Sequence, residues 1–581
     1  MIITRRQKIE KIYSVSINTK LQTKHKKMQL SNNLVIGLDY GTDSGRAILM
    51  DAETGKELAL SIKEYPRWKK GLYCNPVKAQ FRQHPLDYLE VLEHIVTDVL
   101  YKVPGAANRV KAISTDMTGS TPVAVNKEGT PLSLLPDFAE NPDAMFVLWK
   151  DHTGQKENEQ LNDFSKKWHI DYTRSAGCGD YSTEHFWTKA LHIFKIPEIR
   201  KVAYSFVESS DWLPAILCGI TKPEEIKRGM GIAGSRVMWN KEWGGYPPNE
   251  FFKALDPALD GLVDTFNKEA FTCDQVAGTI TKEWAKKLGL PENVLIAVGN
   301  LDCHAGAVGA GVKDKVMVEI VGTSTCAITV GPKSIGNQLV PGIPQQADDI
   351  ILPGMIGFEA GQSAFGDLYA WFKRLLMWPL DNIMLKSNIG DAETRQHLRD
   401  EVYAEMIPNL ARQAKIIPPK DSQIIATDWI NGRRSPNVDY ELKGTITGIA
   451  LSSVAPLVYK SLVEATAYGA KNIIERFVDN GIKLKEIIAV GGISQKSPYV
   501  MQVMSDVIGM PIKVIATREA CALGVAMCAA VVAGVYKNLP EAQSKMGMEI
   551  SNIYYPNHEY KKHYHQEFNK YLSLENIKDF V

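Results

Sequence analysis

The chain has 581 residues, and because a single hydrophobic core stops growing near about 250 to 300 residues, this length predicts two large domains. A composition of 45% hydrophobic and 23% charged residues is typical of a globular protein and excludes a disordered or fibrous one. With 67 basic and 66 acidic residues the net charge is +1, which excludes a global field that attracts nucleic acid or an anionic membrane.

The cysteines and the longest apolar stretch indicate the compartment. The eight cysteines contain no C-x-x-C pair and lie mostly among apolar neighbours, which favours a reducing, cytoplasmic location. The longest uncharged stretch, residues 521–536, is shorter than the roughly 20 residues that a membrane-spanning helix needs. Its many small side chains predict a buried, closely packed helix instead, so we expect no membrane partner.

The N-terminal segment differs from the rest of the chain. Residues 1–27 carry eight Lys or Arg against a single acid, Glu10. Two interpretations are open: translation begins at Met28, which we prefer, or the segment is a basic targeting peptide. Both predict a disordered basic extension over residues 1–30.

Two hairpins of similar pattern divide the chain. Apolar runs at 34–39 and 46–51 flank a cluster of Gly, Thr, Asp and Ser, and runs at 316–321 and 326–331 flank a second cluster about 280 residues later. This distance is the size of a domain and far exceeds a solenoid repeat. We therefore expect two related α/β domains over residues 31–312 and 313–545, with a helical tail over 546–581.

The elements after the first hairpin place polar residues at strand ends. A buried strand over 294–299 is followed by Asp302 and His304, at the carboxyl end where open α/β sheets bind ligands. Residues 456–479 predict a helix, and a strand, a Gly491-Gly492 turn, a helix and another strand follow, as in nucleotide-binding folds. The terminal helix is predicted by aromatic residues at helical spacing, namely Tyr560, Tyr564, Phe568 and Tyr571.

The hairpin turns suit phosphate. Turns rich in Gly, Thr and Ser expose backbone N–H groups and hydroxyls that can surround phosphate oxygens. One such turn is weak support, since G-T-D-S-G is also ordinary turn chemistry, but two facing turns would hold a polyphosphate. Asp39, just before the first turn, is placed to hold Mg²⁺ through water, and Arg46, just after it, is placed to contact phosphate.

Three further residues are candidates for work on an acceptor hydroxyl. Asp302 is the candidate general base, and its alternative is a helix N-cap. Glu359 is a candidate acceptor of hydrogen bonds from sugar hydroxyls, and its alternative is a surface salt bridge. His304 has no partner at zinc spacing, which favours a structural or orienting role.

Several segments resemble a known family. GLDYGTDSGRA, VGTSTC and AVGGISQKS are similar, in this order, to the two phosphate turns and the adenosine turn of the FGGY carbohydrate kinases, which belong to the actin-like ATPase superfamily. The resemblance runs from about residue 33 to 545 and includes NLDCHAGAVGAG, FEAGQSAFGD and DWINGRRSPN. It implies two actin-like, ribonuclease H-like ATPase domains with a catalytic cleft between them.

The resemblance also implies site residues. It makes Asp302 the general base. It assigns ATP contacts to three turns, formed by Asp39, Thr42, Ser44 and Arg46, by Gly322, Thr323 and Ser324, and by Gly491, Gly492, Ser494 and Gln495. It assigns the sugar to Gly119, Arg236, Asp302 and Glu359. At position 236 the family pattern leads us to expect lysine, and the forked guanidinium of arginine bonds a hydroxyl in a different geometry.

The reaction implied by the resemblance is phosphorylation of L-ribulose at its 5-hydroxyl by ATP and Mg²⁺, a step of L-arabinose catabolism. Two alternatives stay open: another kinase of the family that acts on D-ribulose, xylulose or ribitol, or an actin-like sugar sensor without activity. The expected partners are the sugar and ATP, without nucleic acid or membrane. The sequence leaves a homodimer open.

Overall fold

The structure is a computed structural model that describes residues 31–576, except 177–179, 336–338, 518 and 548. The extension predicted over residues 1–30 lies outside these described residues, and so does Cys178. The domain boundaries at residues 312 and 545 stay predictions.

A mixed sheet forms the centre of the first half of the chain. The strand Leu34–Tyr40 is antiparallel to Ser44–Asp51, as the first hairpin predicts, and parallel to Val110–Met117 on its other side. All seven of its residues are buried, because helices cover both faces of the sheet and leave no face for polar residues. In spatial order the strands described in this sheet are Val276–Thr279, Leu295–Ala297, Val110–Met117, Leu34–Tyr40, Ser44–Asp51 and Lys56–Glu64, with Asn300–Leu301 also paired to Val110–Met117.

The second half repeats this arrangement. Val316–Val321 is antiparallel to Thr325–Pro332 and parallel to Glu486–Val490. The first strand of the second predicted hairpin therefore pairs in the same pattern as the first strand of the first hairpin. The described strands of this sheet are, in spatial order, Gln345–Asp348, Met355–Ala360, Thr325–Pro332, Val316–Val321, Glu486–Val490, Ile512–Ile515 and Ile550–Tyr554. The shared order of three antiparallel strands followed by a parallel one supports two related domains.

Smaller sheets and helices complete the two halves. The short pairings join Arg228–Gly229 to Ala270–Phe271, Ile425–Ala426 to Ile446–Thr447, Pro122–Val125 to Ser205–Glu208, and Cys74–Asn75 to Gln80–Gln83 and then Phe146–Val147. The α-helices described are Pro85–Lys102, Gln155–Ser165, Phe186–Phe194, Pro197–Val202, Ser209–Leu217, Met230–Arg236, Asn249–Leu255, Lys282–Leu288, Asp302–Gly309, Gly366–Pro379, Ala392–Lys415, Ala455–Asp479, Gly492–Lys496, Pro498–Ile508, Ala520–Val532, Leu539–Met546 and Lys561–Ser573.

Two helices rich in small residues pack together between the sheets. The helix Ala520–Val532 is buried almost throughout, which confirms the predicted closely packed helix, although it ends at Val532. It contacts the helix Asp302–Gly309 backbone to backbone: a Cβ added at Gly524 would lie 1.8 Å from the carbonyl oxygen of Ala305. This approach requires glycine, and it fixes the helix that begins at Asp302 against both halves.

The C-terminal tail packs on the second half. The helix Lys561–Ser573 buries Tyr564, Phe568 and Tyr571, as the aromatic spacing predicts. The tail also contains the strand Ile550–Tyr554, which was not predicted because its first three residues are all exposed at the sheet edge and show no alternation.

Two further expectations can be compared with the fold. No helix within the described residues is long and apolar enough to cross a membrane. The cysteines at the described positions are free thiols.

Candidate active site

A deep cleft lies between the two halves, and residues of both halves line it. Its volume is about 1120 Å³, slightly above the range of about 300 to 1,000 Å³ that is usual for ligand sites in proteins. The residues predicted from the sequence that line the cleft are Thr42, Gly119, Arg236, Asp302, Ser324 and Glu359. The cleft is therefore the candidate active site.

Charged groups brace the first predicted phosphate turn. Asp39 and Arg46 are opposite each other in the strand register, and Arg46 Nη1 lies 3.1 Å from Asp39 Oδ2. The same guanidinium lies 3.4 Å from Glu519 Oε2 and donates to Ser44 Oγ at 3.3 Å. Arg46 is thus engaged by two carboxylates at the base of the turn, whereas Thr42 faces the cleft.

The second predicted phosphate turn is hydrogen-bonded to the residue that precedes a helix. Gly322 N donates to the carbonyl oxygen of Ser324 at 3.0 Å, which closes the turn. The carbonyl of Thr323 accepts from Phe365 N at 2.7 Å, directly before the helix Gly366–Pro379. The turn and the positive end of this helix therefore lie together, an arrangement that favours an anion.

The predicted adenosine turn lies beside the second phosphate turn. Gly491 has φ 100°, and a Cβ there would lie 2.5 Å from the carbonyl oxygen of Val321, so only glycine fits. Gly492 begins the following short helix. Ser494 Oγ donates to the carbonyl of Gly491 at 2.7 Å, and the amide of Gln495 donates to the last carbonyl of the neighbouring strand. Both side chains stabilise the turn itself.

Asp302 is the first residue of the helix Asp302–Gly309 and faces the cleft. Its Oδ1 accepts from the backbone N–H of Cys303 at 2.7 Å. Burial, together with the negative charge of Asp39, raises the pKa of Asp302 to about 7. A carboxylate with this pKa is suited to accept a proton near neutral pH.

A second buried carboxylate, which the sequence analysis missed, lies beside Asp39. Asp116 is opposite both Asp39 and Asn300 in the register of their parallel strands, and it is fully buried. Its carboxyl contacts the carboxyl of Asp39, and the other described side chains donate no hydrogen bond to it. Burial and the charges of Asp39 and Asp302 hold the pKa of Asp116 well above its ordinary range. Its position at the end of a buried strand, as for Asp39, was the available signal.

These three carboxylates fit a divalent cation. Mg²⁺ binds carboxylate oxygens and water, and the mutual repulsion of Asp39, Asp116 and Asp302 would fall if a cation lay among them. Arg46 neutralises only part of this charge, since it also contacts Glu519. The donor set therefore agrees with the metal predicted at Asp39.

Arg236 and Glu359, which both line the cleft, form an ion pair between the two halves. Arg236 Nη2 lies 2.7 and 3.0 Å from the two carboxylate oxygens of Glu359, and His304 Nε2 lies 3.0 Å from Glu359 Oε2. Burial raises the pKa of Glu359, but Arg236 and His304 outweigh it and hold this pKa below its ordinary value. The surface salt bridge considered for Glu359 is in fact a buried pair, and Glu359 is ionised.

The same network explains His304 without a metal. Cys303, His304 and Glu359 place possible ligand atoms within 4.8 Å of one another. The guanidinium of Arg236 already neutralises Glu359, and a second cation beside it would be repelled. His304 is therefore an orienting partner of Glu359, as the absence of zinc spacing predicts.

Most of the chain matches one family in two consecutive parts. The model described as "FGGY family of carbohydrate kinases, N-terminal domain" matches residues 34–309, and the corresponding C-terminal domain model matches residues 317–533. The chain belongs to the FGGY family of carbohydrate kinases. The family resemblance noted from the phosphate and adenosine turns is thus confirmed.

Individual relatives agree with this assignment. This kinase is 45% identical to "Ribulokinase" of Vibrio parahaemolyticus over 526 residues, which cover 90% of this chain and 92% of the relative. It is 34% identical to "Ribulokinase" of Halalkalibacterium halodurans over 94% of this chain and 95% of the relative.

Solved structures confirm the fold class. The xylulose kinase of Rhodospirillum rubrum has a TM-score of 0.74 at 17% identity, over 94% of this chain and 99% of that one. Plasmodium falciparum glycerol kinase with ADP has a TM-score of 0.70 at 14% identity, over 93% and 98%. The two-domain α/β fold expected for the family is therefore correct for this kinase.

Two further contacts across the cleft involve residues that were not predicted as site residues. Arg434, within the DWINGRRSPN segment, approaches Glu184 Oε1 to 3.9 Å from the other half. Gln345 Nε2 lies 3.3 Å from His185 Nε2, again across the cleft. All four side chains line the cleft. Segment similarity was the only signal for Arg434, since nothing local in the sequence shows what it faces.

Proposed function

We propose that this kinase transfers the γ-phosphoryl group of ATP to the 5-hydroxyl of L-ribulose, giving L-ribulose 5-phosphate and ADP. The observation that carries the reaction is Asp302, a carboxylate with a pKa of about 7 between the phosphate turns and the Arg236–Glu359 pair. The sugar is inferred from the relatives named ribulokinase, which align over more than nine-tenths of their length. The product belongs to L-arabinose catabolism, and we infer a cytoplasmic location.

The sugar is proposed to lie between Asp302 and the Arg236–Glu359 pair. Asp302 accepts the proton of the attacking hydroxyl, which makes the oxygen a better nucleophile. Glu359, kept ionised by Arg236 and His304, accepts hydrogen bonds from other hydroxyls, and Arg236 donates to them. The backbone near Gly119 forms a further wall.

ATP is proposed to lie along the three turns. Thr42, Ser44 and the backbone at 322–324 would contact the phosphates, and the Gly491-Gly492 turn would contact the adenosine. Asp39, with Asp116 beside it, would hold Mg²⁺ through water. The cation would supply positive charge beside the phosphate oxygens, where negative charge builds up during transfer.

Release of ADP with Mg²⁺-ATP tests this proposal against L-ribulose, D-ribulose, L-xylulose, D-xylulose, ribitol and glycerol. We expect the largest kcat/KM for L-ribulose. A larger value for another polyol would keep the reaction and overturn the sugar, in which case Arg236, with its forked donors, is the first residue to examine. Absence of turnover with every polyol would overturn the enzymatic proposal in favour of a sugar sensor.

A further inference from the structure

A buried lysine lies behind the sugar-facing wall of the cleft. Lys189, on the helix Phe186–Phe194, is 2% exposed and does not itself line the cleft. Its Nζ contacts backbone carbonyl oxygens of two separate segments: Ser120 at 2.5 Å, Leu148 at 2.9 Å, and Val147 and Trp149 at 3.4 Å each. A buried ammonium needs such acceptors, because the cost of leaving water is large.

A carboxylate completes this arrangement. Glu208 accepts from Ser120 Oγ and, at 2.8 Å, from the backbone N–H of Thr121. Burial lowers the pKa of Lys189 to about 7, and the negative charge of Glu208 acts in the opposite direction. Lys189 and Glu208 thus hold the turn around Ser120 from two sides, one through its carbonyl and the other through its hydroxyl and the next N–H.

Both segments held by Lys189 reach the cleft. Gly119, next to Ser120, lines the cleft and packs so closely on Leu301 that an added Cβ would lie 2.6 Å from Leu301 Cδ1, directly before Asp302. Trp149 also lines the cleft, and its indole N–H donates to Thr42 Oγ1 of the first phosphate turn at 3.0 Å. A shift of either segment would move a wall of the sugar site.

We propose that Lys189 is a positioning residue for the sugar: by bonding the carbonyls of Ser120 and of residues 147–149, it fixes Gly119 and Trp149 relative to Asp302. The proposal deepens the proposed function and rests on it for the identity of the ligand. Lys189 itself does not contact the substrate. It acts through the backbone segments that line the cleft.

The test replaces Lys189 by Met, which keeps an unbranched chain and removes the donors. We expect the KM for L-ribulose to rise at least 10-fold in Lys189→Met and the KM for ATP to rise several-fold less. Lys189 reaches the ATP side only indirectly, through the bond from Trp149 to Thr42, and the hydrogen bonds of the adenosine turn involve neither segment. The matched control is Lys460→Met, since Lys460 is also 2% exposed but pairs with Glu464 outside the cleft. This control should lower thermal stability without changing either KM.

A readout without substrate separates this proposal from the proposed function. With 5-fluorotryptophan incorporated, the ¹⁹F resonance of Trp149, assigned by its loss in Trp149→Phe, should shift in Lys189→Met and stay in place in Lys460→Met. If the wild type fails to phosphorylate L-ribulose, the proposed function is wrong and this resonance still tests the role of Lys189. Equal changes in both KM values, or an unmoved Trp149 resonance, would overturn the inference.

Lys189→Arg keeps the inference testable if Lys189→Met does not fold. Its longer, planar head retains charge and donors but cannot contact the same oxygens at the same spacing. We expect an increase of at least 3-fold in the KM for L-ribulose and a smaller increase in the KM for ATP. A wild-type KM for L-ribulose in this variant, with an unmoved Trp149 resonance, would refute the proposed positioning.

Discussion

Glu319 should make the free energy of unfolding of this kinase fall as the pH rises, and one substitution should remove this dependence. It lies in the strand Val316–Val321, three residues before the second phosphate turn, and it is fully buried. Neither carboxylate oxygen has a hydrogen-bond partner in the described part of the chain. Burial alone raises the pKa of Glu319 to about 8, so the folded protein keeps this carboxyl protonated at neutral pH.

The magnitude follows from the two pKa values. Below pH 4.5 Glu319 is protonated in both the folded and the unfolded chain and contributes no pH dependence. Between pH 4.5 and about 8 only the unfolded chain releases the proton, so each pH unit lowers the free energy of unfolding by about 1.4 kcal/mol. Above that range the loss is constant, on the order of 4 to 5 kcal/mol.

Glu319→Gln should abolish this dependence, because the amide stays neutral at every pH. We expect the free energy of unfolding of the variant, relative to the wild type, to increase by about 3 to 4 kcal/mol between pH 5 and pH 8. Urea denaturation at matched pH measures the difference. Glu401→Gln, at an exposed position on the helix Ala392–Lys415, is the control and should show no such trend. A difference for Glu319→Gln that is the same at every pH would refute the reasoning.

Three further substitutions test the site and its framework. Asp302→Asn should lower kcat by about 10²-fold or more in the ADP-release assay, because an amide cannot accept the proton, and full turnover would contradict the assigned base. Glu359→Gln leaves the Arg236 guanidinium buried without its counter-charge and should lower the free energy of unfolding by about 3 to 5 kcal/mol, which an unchanged urea midpoint would exclude. Gly524→Val places a Cβ 1.8 Å from the carbonyl oxygen of Ala305 and should strongly lower the melting temperature, whereas a wild-type value would show that the helices separate at little cost.

Local pattern was sufficient for the elements that carry the site. Both hairpins were predictable because turn-forming residues interrupt buried apolar runs, and strand pairing then follows from the chain itself. The position of Asp302 was predictable because it directly follows a buried apolar run, at the end of a strand and the start of a helix. The strand Ile550–Tyr554 was missed because an exposed edge strand has no apolar alternation to detect.

Long-range pairing was beyond the sequence. Asp116 was recognisable as a strand-end carboxylate, but its position beside Asp39 depends on the parallel register of two strands more than 70 residues apart. The partner of Glu359 is 123 residues away in the chain, so no spacing rule could identify Arg236 as its counter-ion. Lys189 was missed for a further reason: its acceptors are backbone carbonyls, which are the same for every sequence.

The contacts across the cleft share one physical property. Arg236 with Glu359, and Arg434 with Glu184, each join a cation of one half to a carboxylate of the other. Neither pair gains much net free energy over its hydrated partners: desolvation offsets most of the Coulomb attraction in the buried Arg236–Glu359 pair, and water screens the partly exposed Arg434–Glu184 pair. If the two halves moved apart, water would hydrate the separated charges and offset most of the lost attraction. These pairs therefore fix the relative orientation of the halves more than they stabilise the closed cleft. A bound sugar whose hydroxyls bond the remaining donors and acceptors would shift the equilibrium between open and closed cleft towards closure. The phosphate turns would then approach Asp302 only when an acceptor hydroxyl is present.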